Sequence, residues 1–293
     1  MKVAIVLLSL AAFASADLHK YNTAYGYLTR FGIPLAEKIR AQEEEYLKNP
    51  ISRIFNGSPA AVGQFKYQAG LISEIIGSNG RGVCGGVLIS GNRVLTAAHC
   101  WFDGLNRAWR VEVVLGSLTL FTGGTRLHST EVVMHDNWFP LLTRNDIAVI
   151  YLPSSVELTN NIDVIALPTG DFAEETFEGA LATASGFGMI GNDVPIPTTQ
   201  SLSYGQAHVI SNTECRSVFW QVQDTNICLG TKGASSPCRG DSGGPLVVER
   251  NGSPVLIGLT SFGAHPNIGG CESGLPAVFA RVTSYKDFIE QHM

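Results

Sequence analysis

Charge is scarce in this chain. Only 15% of its 293 residues are Asp, Glu, Lys or Arg, and 20 basic against 25 acidic side chains leave a net charge of −5. Without a basic surplus the sequence offers no electrostatic footprint for a nucleic-acid partner. The acidic balance favours solubility but defines no substrate. Long apolar runs are lacking too. The run from Val3 to Phe13 is ended by Asp17, His19 and Lys20, short of the roughly 20 residues that a membrane helix needs, and no later stretch is long enough. No Cys-x-x-Cys pair occurs, and no His stands at zinc-like spacing apart from His99 beside Cys100, so the cysteines do not read as a metal clamp. Neither a repeat nor a low-complexity tract is evident.

What is present begins with Lys2, the short apolar run and the small-x-small sequence Ala14-Ser15-Ala16. That pattern is a secretory signal over residues 1–16, with cleavage expected after Ala16 and a soluble, extracellular product that needs no membrane. Secretion implies an oxidising compartment. The six cysteines are an even number, as a disulfide framework requires, although fifteen pairings are possible. Glycine at 32 residues, with so little charge, points to many turns joining short strands.

Residues 17–53 differ in character from the rest. Pro34 suits a first helical turn, Glu44 and Lys48 stand at i, i+4, and Asn49-Pro50 would stop a helix. Two readings stay open for this leader, a short helix or a solvated, weakly ordered segment. From Ile54 onward short apolar runs are broken by Gly, Asn and Pro. Residues 83–89, 111–115, 131–134, 147–152, 181–185, 245–248 and 255–261 read as strands, which predicts an all-β sandwich or barrel architecture. Two helices are expected late in the chain, one from the capping-box pattern Ser211-x-x-Glu214 and one from the Tyr285, Phe288, Ile289 stripe.

The chemistry concentrates in Gly240-Asp241-Ser242-Gly243-Gly244-Pro245. A serine hydroxyl needs a base to take its proton and donors for the oxyanion it creates, and flanking glycines let a substrate carbonyl approach the backbone. Taken alone, Gly240-x-Ser242-x-Gly244 also fits the nucleophile elbow of α/β-hydrolases. Two upstream segments decide between them: Leu95-Thr96-Ala97-Ala98-His99-Cys100, and Asn145-Asp146-Ile147-Ala148 at the mouth of an apolar strand. The order is His, Asp, Ser, whereas α/β-hydrolases run Ser, Asp/Glu, His.

Together these three motifs resemble the chymotrypsin-like (trypsin-fold) serine proteases, over Ile54 to the C-terminus, and the leader ending Ser52-Arg53-Ile54 with the Gly57-Ser58-Pro59-Ala60 that follows looks most like arthropod digestive chymotrypsins, including the brachyurin type. The resemblance implies two packed antiparallel β-barrels with a C-terminal helix, the halves meeting near residues 165–178 of a peptidase domain spanning 54–293. It implies that Ser242 attacks the scissile carbonyl, that His99 takes and returns the proton, that Asp146 orients the imidazole, and that the N–H groups of Gly240 and Ser242 form the oxyanion hole. It pairs Cys84 with Cys100, Cys215 with Cys228 and Cys238 with Cys271.

Ser52-Arg53-Ile54 resembles the family's activation junction, which makes 17–53 a propeptide and the chain a zymogen. An activating protease would cleave after Arg53, and the freed Ile54 amine would pair with Asp241. Asn56 stands before Gly57 where the family favours glycine, and Asn tolerates the left-handed turn. No cysteine lies between 17 and 53 to tether the leader after cleavage.

By the same resemblance the specificity pocket has Ser236 at its base, six residues before Ser242, with walls that include Ser261, Phe262 and Gly263 and with Ala277 at the back. Ser236 supplies no carboxylate for a Lys or Arg, and Gly263 leaves the entrance open. The expected preference is for large apolar or aromatic residues. Ala277, where the family often has Gly, supports an elastase-like or broader alternative. No Asp or Glu occurs between Gly116 and Thr130, so calcium is not expected, nor is any other metal or cofactor. Protein and peptide substrates are the expected partners of a monomeric digestive enzyme. The rival of another class is a non-catalytic homologue that acts as a binding module, whose usual mark is loss of one of the three residues retained here.

Overall fold

β-Branched runs between glycine-rich turns fold into two antiparallel sheets in this computed structural model, which describes residues 23–48, 58–192 and 202–293. Residues 1–16, expected to be a signal, the expected Arg53-Ile54 junction and Asn56 lie outside the described residues. In chain order the strands are β1 (Ser58–Pro59), β2 (Gln68–Ile75), β3 (Arg81–Ser90), β4 (Arg93–Thr96), β5 (Ala108–Leu115), β6 (Thr125–Ser129), β7 (Val132–Met134), β8 (Ala148–Tyr151), β9 (Leu181–Gly186), β10 (Ser203–Ile210), β11 (Asn226–Gly230), β12 (Pro245–Arg250), β13 (Ser253–Phe262) and β14 (Ala277–Arg281).

The first sheet runs β6-β5-β2-β3-β4-β8-β7 and remains an open half-barrel. The second runs β10-β11-β14-β13-β12-β9, and β9 pairs back onto β10 to close a six-stranded barrel, with β1 added outside β10. The all-β, two-barrel expectation is met, with one barrel closed and the other open. The chain crosses between the halves from Tyr151 to Leu181. Val87, Leu95, Ile147 and Val149 from the first half meet Val247, Leu256, Leu259 and Ala280 from the second in one buried cluster. Burying each such side chain contributes about 1.5–3 kcal/mol, so this seam holds the two halves in fixed register.

Every run read as a strand contains a strand, whereas β1, β2, β4, β6, β10, β11 and β14 fall outside those runs. β2 is buried on nearly every residue, so it shows no alternation, and Gly70 and Ser73 dilute its apolar character. β10 carries Gly205, Gln206 and His208 on positions that face outward or toward neighbouring loops.

Among the late helices, Asn212–Val218 is capped by Ser211, whose Oγ accepts from Glu214 N at 3.0 Å. The C-terminal helix Lys286–Gln291 buries Ile289, and Tyr285 is buried just before it.

The leader is where the structure decides between two readings. A π-type turn, Leu28–Gly32, leads into a helix, Ile33–Lys48. Glu44 pairs with Arg40, one turn earlier, at 3.7 Å. The segment is not solvated. Tyr27, Leu28, Leu35, Ala36 and Ile39 are all buried against the body, because Tyr27, Leu28, Phe31, Leu35 and Ile39 form one apolar stripe.

Candidate active site

His99 stands on a 3₁₀ turn, Ala98–Cys100, immediately after β4, and Asp146 immediately precedes β8, which pairs with β4. Strand pairing therefore brings two residues 47 positions apart together. Asp146 Oδ1 accepts from the backbone N–H of His99 at 2.9 Å, and Oδ2 lies 2.8 Å from His99 Nδ1. Both side chains are almost wholly buried. The carboxylate thus fixes both the turn and the ring, and the Nδ1 contact leaves Nε2 as the nitrogen free to act on a substrate.

Ser242 comes from the other half, in the turn that enters β12. Its carbonyl accepts from Gly85 N at 2.7 Å, and Cys100 Sγ lies 3.6 Å from the same oxygen. This locks the nucleophile loop against the loop that carries His99. Gly243 is required for that approach: its φ is +78°, and a Cβ there would stand 2.2 Å from Thr96 Oγ1. The disulfides Cys84–Cys100, Cys215–Cys228 and Cys238–Cys271 all form, as the resemblance implied. Cys84 and Cys100 lie with His99 in a cluster of potential metal ligands, but their sulfurs are bonded to each other and offer no thiolate.

Ser236, Ser242, Ser261, Phe262, Gly263 and Ala277 line one cavity of about 50 Å³. Ser236 donates to the Pro237 carbonyl at 3.0 Å, and among the described residues no carboxylate lines the cavity. A Cβ built on Gly263 meets nothing within 4 Å, so the mouth is open on that side. Phe262 is buried, edge-on to Phe219 at 5.7 Å. Ser261 has a role beyond the wall. Its hydroxyl donates to Asp146 Oδ2 at 2.5 Å, a link that no local sequence pattern announces.

Asp241 points away from the cavity. Its carboxylate accepts from Gly188 N at 2.8 Å and Cys238 N at 2.9 Å. Burial pushes its pKa up to about 6 despite those two donors, and no ion pair reaches it among the described residues.

Sequence reasoning missed the leader's place in this site. Tyr27 is 2% exposed and its ring stands edge-on to the His99 imidazole, centroids 5.0 Å apart. The phenol donates to Val83 O at 2.9 Å. Burial raises its pKa far above the ordinary phenol value, while hydrogen bonds from the Ser242 side chain and the Gly240 backbone act in the opposite sense. The Tyr27 ring therefore lies beside His99, in the cavity that Ser242 also lines. His99 Nε2 is buried without a hydrogen-bond partner. Leu35 presses on Gly240, whose φ is +101° and where a Cβ would lie 2.5 Å from Leu35 Cδ2. The apolar stripe from Tyr27 to Ile39 was the signal available in the sequence, since a solvated helix has no need of one.

The comparisons agree with this architecture. The trypsin family profile matches residues 54–289. The chain is 40% identical to a collagenase of Hypoderma lineatum over 82% of its own length and 87% of the relative's. It is 39% identical to brachyurin of Leptuca pugilator over 71% and 86% respectively. A solved collagenase structure superposes with a TM-score of 0.71 at 39% identity, covering 82% of this chain and 98% of that one. The chain belongs to the trypsin family of chymotrypsin-like serine proteases.

Proposed function

We propose that this enzyme is a secreted endopeptidase, made as a zymogen, that cleaves proteins and peptides after large apolar or aromatic residues through Ser242, His99 and Asp146. The observation that carries the reading is the doubly bonded Asp146–His99 pair with Ser242 and the Tyr27 ring lining one cavity, the ring marking a position beside His99. With a substrate carbonyl in that position, His99 Nε2 takes the Ser242 proton as Oγ forms a bond to the carbonyl carbon. The resulting oxyanion is held by the N–H groups of Gly240 and Ser242. The imidazolium, stabilised by Asp146, then protonates the leaving amine as the C–N bond breaks, leaving an acyl-enzyme. Water deprotonated by His99 attacks the ester, and Ser242 recovers its proton as the acid leaves.

Specificity follows from what the cavity lacks. Ser236 offers only a hydroxyl at its base, so a substrate Lys or Arg entering it would lose hydration without gaining a counter-charge. Ala277, buried at the back, favours a shorter, elastase-like or broader side chain as the second reading.

Activation is cleavage after Arg53 by another protease. The new Ile54 ammonium is the natural partner for Asp241, a buried carboxyl without a cation that also lines a cavity of about 550 Å³. The product is an extracellular monomer with a digestive role, and residues 1–16 are the signal that exports it. Stoichiometric labelling of Ser242 by a sulfonyl fluoride, after cleavage at Arg53 and removal of the leader, tests the enzymatic core of this reading. A folded, cleaved and stripped protein that takes no label would instead be a binding module on a protease fold.

A further inference from the structure

We propose that the leader segment Thr23–Lys48 is itself an inhibitor of this protease, one that outlasts the cut at Arg53 and binds back to the mature body as a separate peptide. The proposal rests on reading Arg53-Ile54 as the activation junction, and it adds that cutting this junction is not sufficient for activity.

The leader is held along its described length from Thr23 to Glu43. At the reactive centre the Tyr27 side chain lines the same cavity as Ser242, its phenol donates to Val83 O at 2.9 Å, and its ring stands edge-on to His99. On either side of Tyr27 the backbone is pinned to one buried residue. Gly26 N donates to Asp103 O at 3.0 Å, and Leu28 N to Asp103 Oδ2 at 2.8 Å. Further along, Leu35, Ala36 and Ile39 enter the same buried cluster as Val83, Phe187 and Met189. Near the end of the helix Glu43, 3% exposed, accepts from Leu120 N at 2.6 Å and Phe121 N at 2.8 Å. A buried carboxylate that caps two backbone donors of the body is a docking contact, not a solvated surface charge.

The leader also presents nothing to cut. The group that reaches Ser242 is a phenol, which has no carbonyl carbon to attack. From Leu28 to Lys48 the backbone is helical, and before the last turn its carbonyls are engaged in helix hydrogen bonds. With Tyr27 seated, His99 Nε2 is buried without a hydrogen-bond partner, so the base is covered. Since residues 17–53 contain no cysteine, only these contacts retain the leader after cleavage.

The test starts from the full chain, cut with immobilised trypsin that is then removed, with mass spectrometry establishing the Ile54 terminus. Gel filtration in moderate urea followed by refolding into buffer strips the leader, and a fluorophosphonate titrates Ser242. Absence of a titratable serine at this stage counts against the zymogen reading itself. Given a titrated enzyme, a synthetic peptide of residues 23–48 is added. The expected result is competitive inhibition of a small ester substrate, half-complete at or below about 1 µM. A Tyr27→Ala peptide should be weaker by at least about tenfold, with Tyr27→Phe between the two. No inhibition at about 100 µM overturns the proposal, as does turnover of the peptide at an internal bond with no lasting inhibition.

Discussion

Ser261 Oγ donates to Asp146 Oδ2 at 2.5 Å, the same carboxylate oxygen that lies 2.8 Å from His99 Nδ1. The carboxylate is therefore positioned by one bond from β13 and two from the His99 turn, so each half of the molecule helps to aim the imidazole. Ser261→Ala removes one donor and leaves the other two in place. One hydrogen bond to a charged group contributes about 1–2 kcal/mol, so kcat should fall roughly five- to thirtyfold with KM nearly unchanged. The apparent pKa of the kcat/KM profile should shift as well, which a purely structural role for Ser261 would not produce. Steady-state kinetics across pH 5–9 would check both.

Ser236 at the pocket base predicts the outcome of a peptide panel. Cleavage after Phe, Tyr or Leu should exceed cleavage after Arg or Lys by more than about tenfold in kcat/KM, because an unpaired cation in the pocket is costly. Ala277→Gly should shift the ratio of Tyr to Leu cleavage upward by up to roughly tenfold, the worth of a methyl in an apolar pocket. A panel led by Arg would contradict the role given to Ser236.

Asp241 predicts a pH dependence of stability in the uncleaved chain. Its folded pKa is about 6 against 3.8 in the unfolded state, so the folded form holds the extra proton between those values. Stability from this group is fully present below pH 4 and falls as pH rises to 6, by about 3 kcal/mol at most. Asp241→Asn should flatten that part of the curve in urea melts at pH 4.5 and 7. An unchanged pH dependence in the variant would show that the carboxyl is not the titrating group.

The disulfides give a ranking. Cys238–Cys271 closes a loop of 33 residues and Cys215–Cys228 one of 13. In the chain-entropy picture, replacing both cysteines of the longer loop by serine should destabilise by about 1 kcal/mol more than replacing those of the shorter loop, within a range of about 2–4 kcal/mol each. Urea midpoints with a common m-value would measure the difference.

The three motifs around His99, Asp146 and Ser242 were legible because the chemistry confines residue types over several consecutive positions: a glycine where φ is positive, a small residue where loops touch. The barrels were legible where strands alternate or run apolar between turns, and illegible at β2, which is buried on nearly every residue. Ser261 could not be recognised as a partner of Asp146, since that contact spans 115 positions and no local rule concerns it. The docked leader was half legible. Its helix follows from Pro34 and its propensities, and the apolar stripe from Tyr27 to Ile39 shows that it buries a face. That the face buried is against the reactive serine depends on where β3 and the Gly240 loop meet in space.

One measurement bears on the whole account: the stoichiometry of fluorophosphonate labelling at Ser242 before and after the leader is removed. The intact chain, with Tyr27 packed against His99 in the cavity that Ser242 lines, should remain unlabelled. The chain cut after Arg53 and stripped of residues 23–48 should take one label per molecule, located by peptide mapping on Ser242. A cut, stripped and demonstrably folded protein that takes no label would contradict the enzyme built here, and equal labelling of the intact chain would contradict the covered site.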